Sequence, residues 1–241
     1  MDKPYYEFLQ RFKTEIGPIS HINRPENTKA VVMIEGGCNW ELPIVMRNFR
    51  HFLGPDWNFK FFGTAPSIDY LLKELDNWVF GDDEEYRNVY QLDASIITPT
   101  TASDLVSQST FWESFTEETI LSISCDSICC QPLDEKYLAY DMIGAPCGEG
   151  GMTFNDGLAL RKKSTMLKAL KIFGGFRNGE LCDVFLTRCM RKLGKHIPDQ
   201  YTAAQFSVES FYYGLPFGVH GTNKGYHSLG VANQIVEQIK F

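Results

Sequence analysis

Apolar side chains near the start of the chain recur at close to 3.6 residues. Tyr5, Tyr6, Phe8, Leu9, Phe12 and Ile16 predict an amphipathic helix over the first 16 residues. Gly17-Pro18 stops it, and a polar connector follows through Asn27. From Lys29 to Glu35 the pattern changes to a nearly continuous apolar run that ends in an acid and two glycines. A run with no polar face predicts a strand covered on both sides, as in a parallel sheet. Helical spacing returns from Trp40 to Leu53, with Ile44, Val45, Phe49, Phe52 and Leu53 on the apolar side. Gly54-Pro55-Asp56 ends that helix, and Trp57 to Phe62 is the next predicted strand.

The alternation continues along the chain. Helices are expected over Ile68–Leu75, in two pieces over Ser103–Phe115, and over Lys163–Phe173, Cys182–Leu193 and Val231–Ile239. Strands are expected over Asn88–Leu92, Thr119–Cys125 and Met142–Gly144, with a short extended piece at Leu158–Leu160. Asp126–Pro132 reads as a loop, and the glycine-rich Gly148–Gly157 reads as irregular. Strands and helices taking turns predict an α/β sheet flanked by helices. The expected organisation is an N-terminal helix and connector over 1–28 and one α/β domain over 29–241.

Composition narrows the class. With 44% hydrophobic and 22% charged residues, the 241-residue chain is an ordinary globular protein, neither disordered nor fibrous. Lys and Arg number 23 against 30 Asp and Glu, a net charge of −7. Such a chain draws little affinity from counterion release, so no nucleic-acid partner is expected. Seven cysteines at irregular spacing form no zinc or redox pair and predict free thiols in a reducing compartment. The opening MDKPYYEFLQRFKTEIG is no secretory signal. No window approaches the roughly 18 consecutive apolar residues of a membrane span. The expectation is a soluble, cytoplasmic protein.

In open α/β sheets, ligands bind beyond the carboxyl ends of the strands, which directs attention to Glu35, Gly63 and Asp126. Gly36 and Gly37 allow a close backbone approach there. No GxGxxG or GxxxxGK[ST] stands at a strand–helix junction, and no GxSxG elbow occurs. A Rossmann dinucleotide site, a P-loop and that type of serine hydrolase are therefore disfavoured.

Several segments occur in a telling order: IEGG (34–37), VMRNFRHFLGPDW (45–57), FWES (111–114), SCDSICC (124–130), YDMIGAP (140–146), NDGLALR (155–161), DVF (183–185) and PFGVHG (216–221). Together they resemble an uncharacterised glycosyltransferase-like domain family, similar to nucleotide-sugar transferases of the GT-A fold, over about residues 29–225. The resemblance implies a Rossmann-like, mixed but mostly parallel sheet flanked by helices, with the N-terminal helix as an extension. It further implies a nucleotide-sugar donor, UDP-linked by analogy, a glycan or other hydroxyl acceptor, and a divalent cation. A cation answers the charge that develops on a departing diphosphate. A non-catalytic relative that binds a nucleotide, a glycan or a protein is the alternative.

The resemblance assigns roles residue by residue. Asp126 and His220 are the expected metal ligands, and an imidazole in the set favours Mn2+ over Mg2+. The family's acid-x-acid pattern is incomplete, because Asp126 is the one local carboxylate and Ser124 stands two residues before it. Asn155 and Gly157 are expected to border the donor sugar, with Gly150 and Gly151 allowing close approach. Asp183 is the expected general base of an inverting transfer, with a helix N-cap as the competing reading. Glu35 is a candidate for the nucleoside, Arg47 for the diphosphate or else a solvated helix residue, and Lys224 for phosphate. Trp57, Phe111 and Trp112 read as core, and His21, His51 and Cys129-Cys130 as structural.

Overall fold

The computed structural model describes residues 1–16, 23–75, 88–93, 97–148, 153–176 and 180–241. Gly17, Pro18, His21, Gly150 and Gly151 lie outside them. The main sheet is built from β1 (Lys29–Glu35), β2 (Trp57–Gly63), β3 (Val89–Gln91), β4 (Thr119–Ile123), β6 (Met142–Cys147) and β7 (Thr153–Lys162). Its order is β3-β2-β1-β4-β7-β6. β1 runs parallel to β2 and β4, and β2 parallel to β3. β7 runs antiparallel to both β4 and β6.

The unbroken apolar runs explain the centre of this sheet. Ala30 to Met33 of β1 and Ile120, Leu121 and Ile123 of β4 are buried, because helices cover both faces. Those helices are α1 (Lys3–Glu15), α2 (Glu41–Leu53), α3 (Ala65–Leu75), α4 (Pro99–Val106), α5 (Ser109–Glu113), α6 (Lys163–Phe173), α7 (Cys182–Lys192), α8 (Gln200–Phe206) and α9 (Leu229–Gln238). Among the described residues, no helix is long and apolar enough to cross a membrane. Trp57, Phe111 and Trp112 are core residues, as expected from their type.

Some helices start earlier than the apolar spacing suggests, because caps rather than periodicity set the start. Thr98 and Thr101 form a reciprocal capping box ahead of Pro99, which places the start of α4 four residues before Ser103. Ser228 caps α9 by accepting from the Val231 N–H.

Two stretches differ more. The segment read as a loop after β4 contains β5 (Ile128–Cys129), which joins β8 (Ser207–Val208) and β9 (Gly218–Val219) in a second sheet of order β5-β9-β8. Strands of two residues are too short to show alternation, so their pattern carries no signal. The stretch read as irregular before Leu158 belongs to β7, which runs through ten residues. Its regularity is hidden by a bulge. Gly144 pairs with Ala159 and the next residue, Ala145, pairs with Asn155, which leaves Asp156, Gly157 and Leu158 unmatched on β6.

The N-terminal helix is built into the core. Tyr5, Phe8, Leu9 and Phe12 are buried, and α1 packs on α2 and α9. Phe241 meets Phe8 and Phe12 edge-on at 5.9 and 5.6 Å. The Asp2 N–H donates to Thr222 O at 2.6 Å, and the Tyr5 hydroxyl lies 2.7 Å from His227 Nδ1. The helix therefore grips the turn that follows β9.

At the opposite end of the sheet, burial takes in charge. Arg50 is fully buried, with Nη2 donating to Asn23 Oδ1 and its guanidinium lying 4.1 Å from the Phe59 ring centroid. Lys60 faces the fully buried Glu117 at 3.4 Å, and Asn58 Nδ2 donates to Glu117 Oε1 at 2.7 Å. Removing one member of a buried ion pair strands the other without water. Glu117→Ala is expected to lower unfolding free energy by about 3–5 kcal/mol in a urea titration. A loss near zero would show that Lys60 is solvated by other means.

Candidate functional site

The small second sheet gathers three polar side chains from distant parts of the sequence. Asp126 lies two residues before β5, His220 follows β9 directly, and Glu209 follows β8 directly. β5 is antiparallel to β9, and β8 is parallel to it. This register is closed by the His220 N–H donating to Val208 O at 2.9 Å and the Thr222 N–H donating to Asp126 O at 3.0 Å. The Thr222 hydroxyl donates to the same carbonyl at 2.9 Å. Gly221 then turns the chain with φ 73°, a conformation open to glycine.

As a result, the His220 ring lies between two carboxylates. Its Nε2 is 3.4 Å from Asp126 Oδ1, and its Nδ1 is 3.5 Å from Glu209 Oε1. All three residues are at least nine-tenths buried. Ser124 Oγ donates to Asp126 Oδ1 at 2.6 Å, so the residue in place of the missing second acid braces the first. The Ser127 hydroxyl donates to the Gly157 carbonyl at 3.0 Å, and Ser124 Oγ lies 3.2 Å from the same oxygen. The β7 bulge is thereby tied to the end of β4. Inside the bulge, the Gly157 N–H donates to Asn155 Oδ1 at 2.7 Å, while Asn155 Nδ2 donates to Glu209 Oε1 at 3.3 Å. Gly157 has no side chain because His220 occupies that space: an added Cβ would overlap ring atom Nε2.

Charge follows from this arrangement. Burial alone would push the His220 imidazole down, but hydrogen bonding and attraction from Asp126 and Glu209 outweigh it and raise its pKa to about 9. Burial would likewise raise Asp126, yet His220, Ser124 and the positive charge of Lys224 hold it at about 2. The metal-free protein thus carries a protonated imidazole beside an ionised Asp126.

The other expected residues fall into three places. Asn155, Gly157 and Lys224 join Asp126 and His220: the first two through the bulge, and Lys224 from an exposed turn after Gly221 whose charge reaches Asp126. Asp183 sits on the adjoining side, in the first turn of α7 with Leu181 as the N-cap, and accepts from the Val184 N–H at 2.7 Å. Burial raises the Asp183 pKa, the Val184 N–H and Arg161 oppose this, and Glu209 adds to it. Asp156 is raised too, by burial and by Asp183, and forms an ion pair with Arg161.

Glu35 and Arg47 face protein partners. Glu35 Oε1 accepts from the N–H groups of Gly36 and Gly37, both at 2.9 Å, and Oε2 accepts from the Cys125 thiol at 2.9 Å. It ties the loop after β1 to the loop after β4. Arg47 is half-buried and its Nη2 donates to Ile16 O at 3.2 Å, at the end of α1. Glu209 is the residue that sequence reading missed: an acid after a two-residue strand stands in no motif and on no periodic face.

The donor set suits a divalent cation held jointly with a ligand. Among the described residues, no group of three or more His, Cys, Asp and Glu side chains forms a cage. Asp126 and His220 offer one oxygen and one nitrogen close enough to share an ion, provided that diphosphate oxygens complete its shell.

The mixed sheet, with its antiparallel β7 beside β4, has a GT-A-like fold, and one solved structure agrees with it. The chain is similar to mouse xyloside xylosyltransferase 1 in its apo form, at TM-score 0.51 and 12% identity over 85% of this chain and 100% of that one. It is also similar to the apo-form glycosyltransferase GlyE of Streptococcus pneumoniae TIGR4, at TM-score 0.47 and 15% identity over 85% of this chain. It spans 55% of the GlyE chain's length. The mannosyltransferase PcManGT of Pyrobaculum calidifontis, in complex with GDP-Man and Mn2+, gives TM-score 0.46 and 10% identity over 82% of this chain and 63% of that one. In sequence, the chain belongs to the family described as "Protein of unknown function (DUF5672)", which matches residues 85–220. No curated protein matches it.

Two outcomes test this geometry. Gly157→Ala forces a methyl group into the His220 ring, and an overpacked site of this kind loses about 1–3 kcal/mol of stability in a denaturant titration. An unchanged midpoint would mean that the ring does not rest on Gly157. In chelator-treated protein, the stabilisation that His220 provides is full below the ordinary imidazole pKa and is lost as pH rises through about 9. The acid-side loss, from Asp126, comes as pH falls from the ordinary carboxylate range toward about 2. The stability gap between wild type and His220→Gln should therefore shrink as pH is raised from neutral through about 9. A gap independent of pH would contradict the ion pairs.

Proposed function

We propose that the chain moves a sugar from a nucleoside diphosphate sugar, UDP-linked, to a hydroxyl group of a glycan or another acceptor. The observation that carries this reading is the contact of Asp126 with His220 beyond the carboxyl end of β4, 3.4 Å apart in a GT-A-like sheet. That is where open α/β sheets bind ligands. Asp126 and His220 would hold a divalent cation, Mn2+ in preference to Mg2+ given the imidazole, and the bound cation would stabilise charge on the departing diphosphate. Lys224 adds a point charge on the same side. Asn155 and the Gly157 backbone border the sugar, and Glu35, with lone pairs left on its oxygens, accepts from the nucleoside. Arg47, turned toward α1, has no assigned step.

Asp183 takes the proton in this scheme. The acceptor oxygen forms its bond to the anomeric carbon as its proton passes to the Asp183 carboxylate. The bond from the anomeric carbon to the diphosphate oxygen breaks on the opposite face, and its electron pair leaves with the diphosphate. This inverts the anomeric centre. A carboxylate whose pKa burial has raised is a better base than an exposed one. One observation favours a second reading, a module that binds nucleotide or glycan without turnover: Ser124 stands where a second acid would give the cation another oxygen.

A panel of nucleotide sugars with Mn2+ separates the two, by following nucleoside diphosphate release alongside calorimetric binding. Asp126→Ala is expected to abolish metal-dependent UDP binding. Asp183→Asn is expected to leave donor binding intact and to slow turnover by about 10²–10⁴-fold. Binding without release for every donor supports the non-catalytic module, and absence of any nucleotide binding rejects the transferase and the nucleotide-binding form of the module. Full turnover by Asp183→Asn would remove it as the base.

A further inference from the structure

Glu209 belongs to no motif, yet it touches two of the residues on which the site depends. Its Oε1 lies 3.5 Å from His220 Nδ1 and accepts from Asn155 Nδ2 at 3.3 Å. Glu209 is 5% exposed; its other oxygen, Oε2, and His220 Nδ1 are both buried without a hydrogen-bond partner, so the 3.5 Å approach of Oε1 to Nδ1 is an ion-pair contact. A carboxylate withdrawn from water and held by one edge has a steep cost of burial, offset here only by the groups it orients. It comes directly after β8, whose parallel pairing with β9 sets Val208 against Val219, so Glu209 and His220 leave adjacent strands side by side.

We infer that Glu209 is the positioning residue of the site: through one oxygen it fixes the ring of His220 and the amide of Asn155, so that His220 Nε2 faces Asp126. The two ring nitrogens of histidine are distinct, and the partner of one decides what the other presents. With its Nδ1 edge drawn to the Glu209 carboxylate, the ring turns Nε2 to the Asp126 side, where a cation or a diphosphate oxygen would meet it. The same oxygen aligns Asn155, whose Oδ1 in turn holds the Gly157 N–H on which the ring rests. Asn155, Gly157 and His220 are thus set by a single anchor. The inference deepens the transferase reading and rests on it for its functional consequence, whereas the orienting contact stands on geometry alone.

The test uses the full chain with two independent measurements. The first is a proton–nitrogen correlation spectrum of the histidine rings in metal-free protein at a fixed neutral pH, with His220 assigned by its loss in His220→Gln. Wild type should show a protected, downfield proton on His220 Nδ1. Glu209→Ala should lose it, and Glu209→Gln, which still presents an acceptor oxygen, should keep it. The second is calorimetric binding of Mn2+ with UDP. Glu209→Ala should weaken it about 10–100-fold, the usual effect of removing the partner of a ligating histidine, and Glu209→Gln should restore most of the loss. If Glu209→Ala does not fold, Glu209→Asp takes its place, because a shorter carboxylate withdraws from Nδ1 and should give the same loss of the protected proton. Wild-type spectra and binding in a folded Ala or Asp variant would overturn the inference. A wild-type protein that binds no Mn2+ or UDP, yet loses the Nδ1 proton in Glu209→Ala, would reject the transferase reading and uphold the orienting role.

Discussion

An imidazole held between two buried carboxylates is the interaction on which the site rests. His220 cannot turn without leaving Asp126 or Glu209 uncompensated, and neither can be solvated where it stands. The backbone enforces the same geometry. The three short strands of the second sheet share only a few hydrogen bonds, but these place residues near 126, 209 and 220 within reach of each other. Gly157 completes the arrangement by leaving room for the ring.

The main sheet supplies the rigid support. Parallel strands β2, β1 and β4 end on one side, and the antiparallel β7 returns beside β4 with a bulge at that same edge. A bulge bends a strand and re-aims its side chains. Here it turns the Gly157 carbonyl toward Ser124 and Ser127, and Asn155 toward Glu209. The irregularity in β7 is therefore part of the means by which strand ends become a site.

Most of the main sheet is legible in the sequence because long apolar runs and helical spacing cover it: β1, β2, α2 and α6 agree with their patterns to within a residue or so. The small sheet is not legible, since two residues contain no period. β7 is obscured for a different reason, because its bulge and glycines imitate a loop. Asp126 and His220 stand out in sequence through a family resemblance, while their approach to 3.4 Å comes from strand pairing across nearly a hundred residues. Glu209 has neither pattern nor resemblance to reveal it. Asp183 illustrates a limit of local rules: an Asp near a helix start suggests a cap, yet Leu181 holds that position and Asp183 lies inside the first turn.

The grip of α1 on the turn after β9 bears on how the protein can be shortened. A composition boundary near residue 28 invites trimming of everything before it. Such a cut would remove the Tyr5 hydroxyl from His227 and the Asp2 amide from Thr222, and would bare the α9 and α2 surfaces that Phe8, Leu9 and Phe12 cover. Thr222 is also the residue that clasps the Asp126 carbonyl. Trimming the leading helix would thus loosen the corner around Asp126, and a minimal fragment for crystallisation or assay has to retain it.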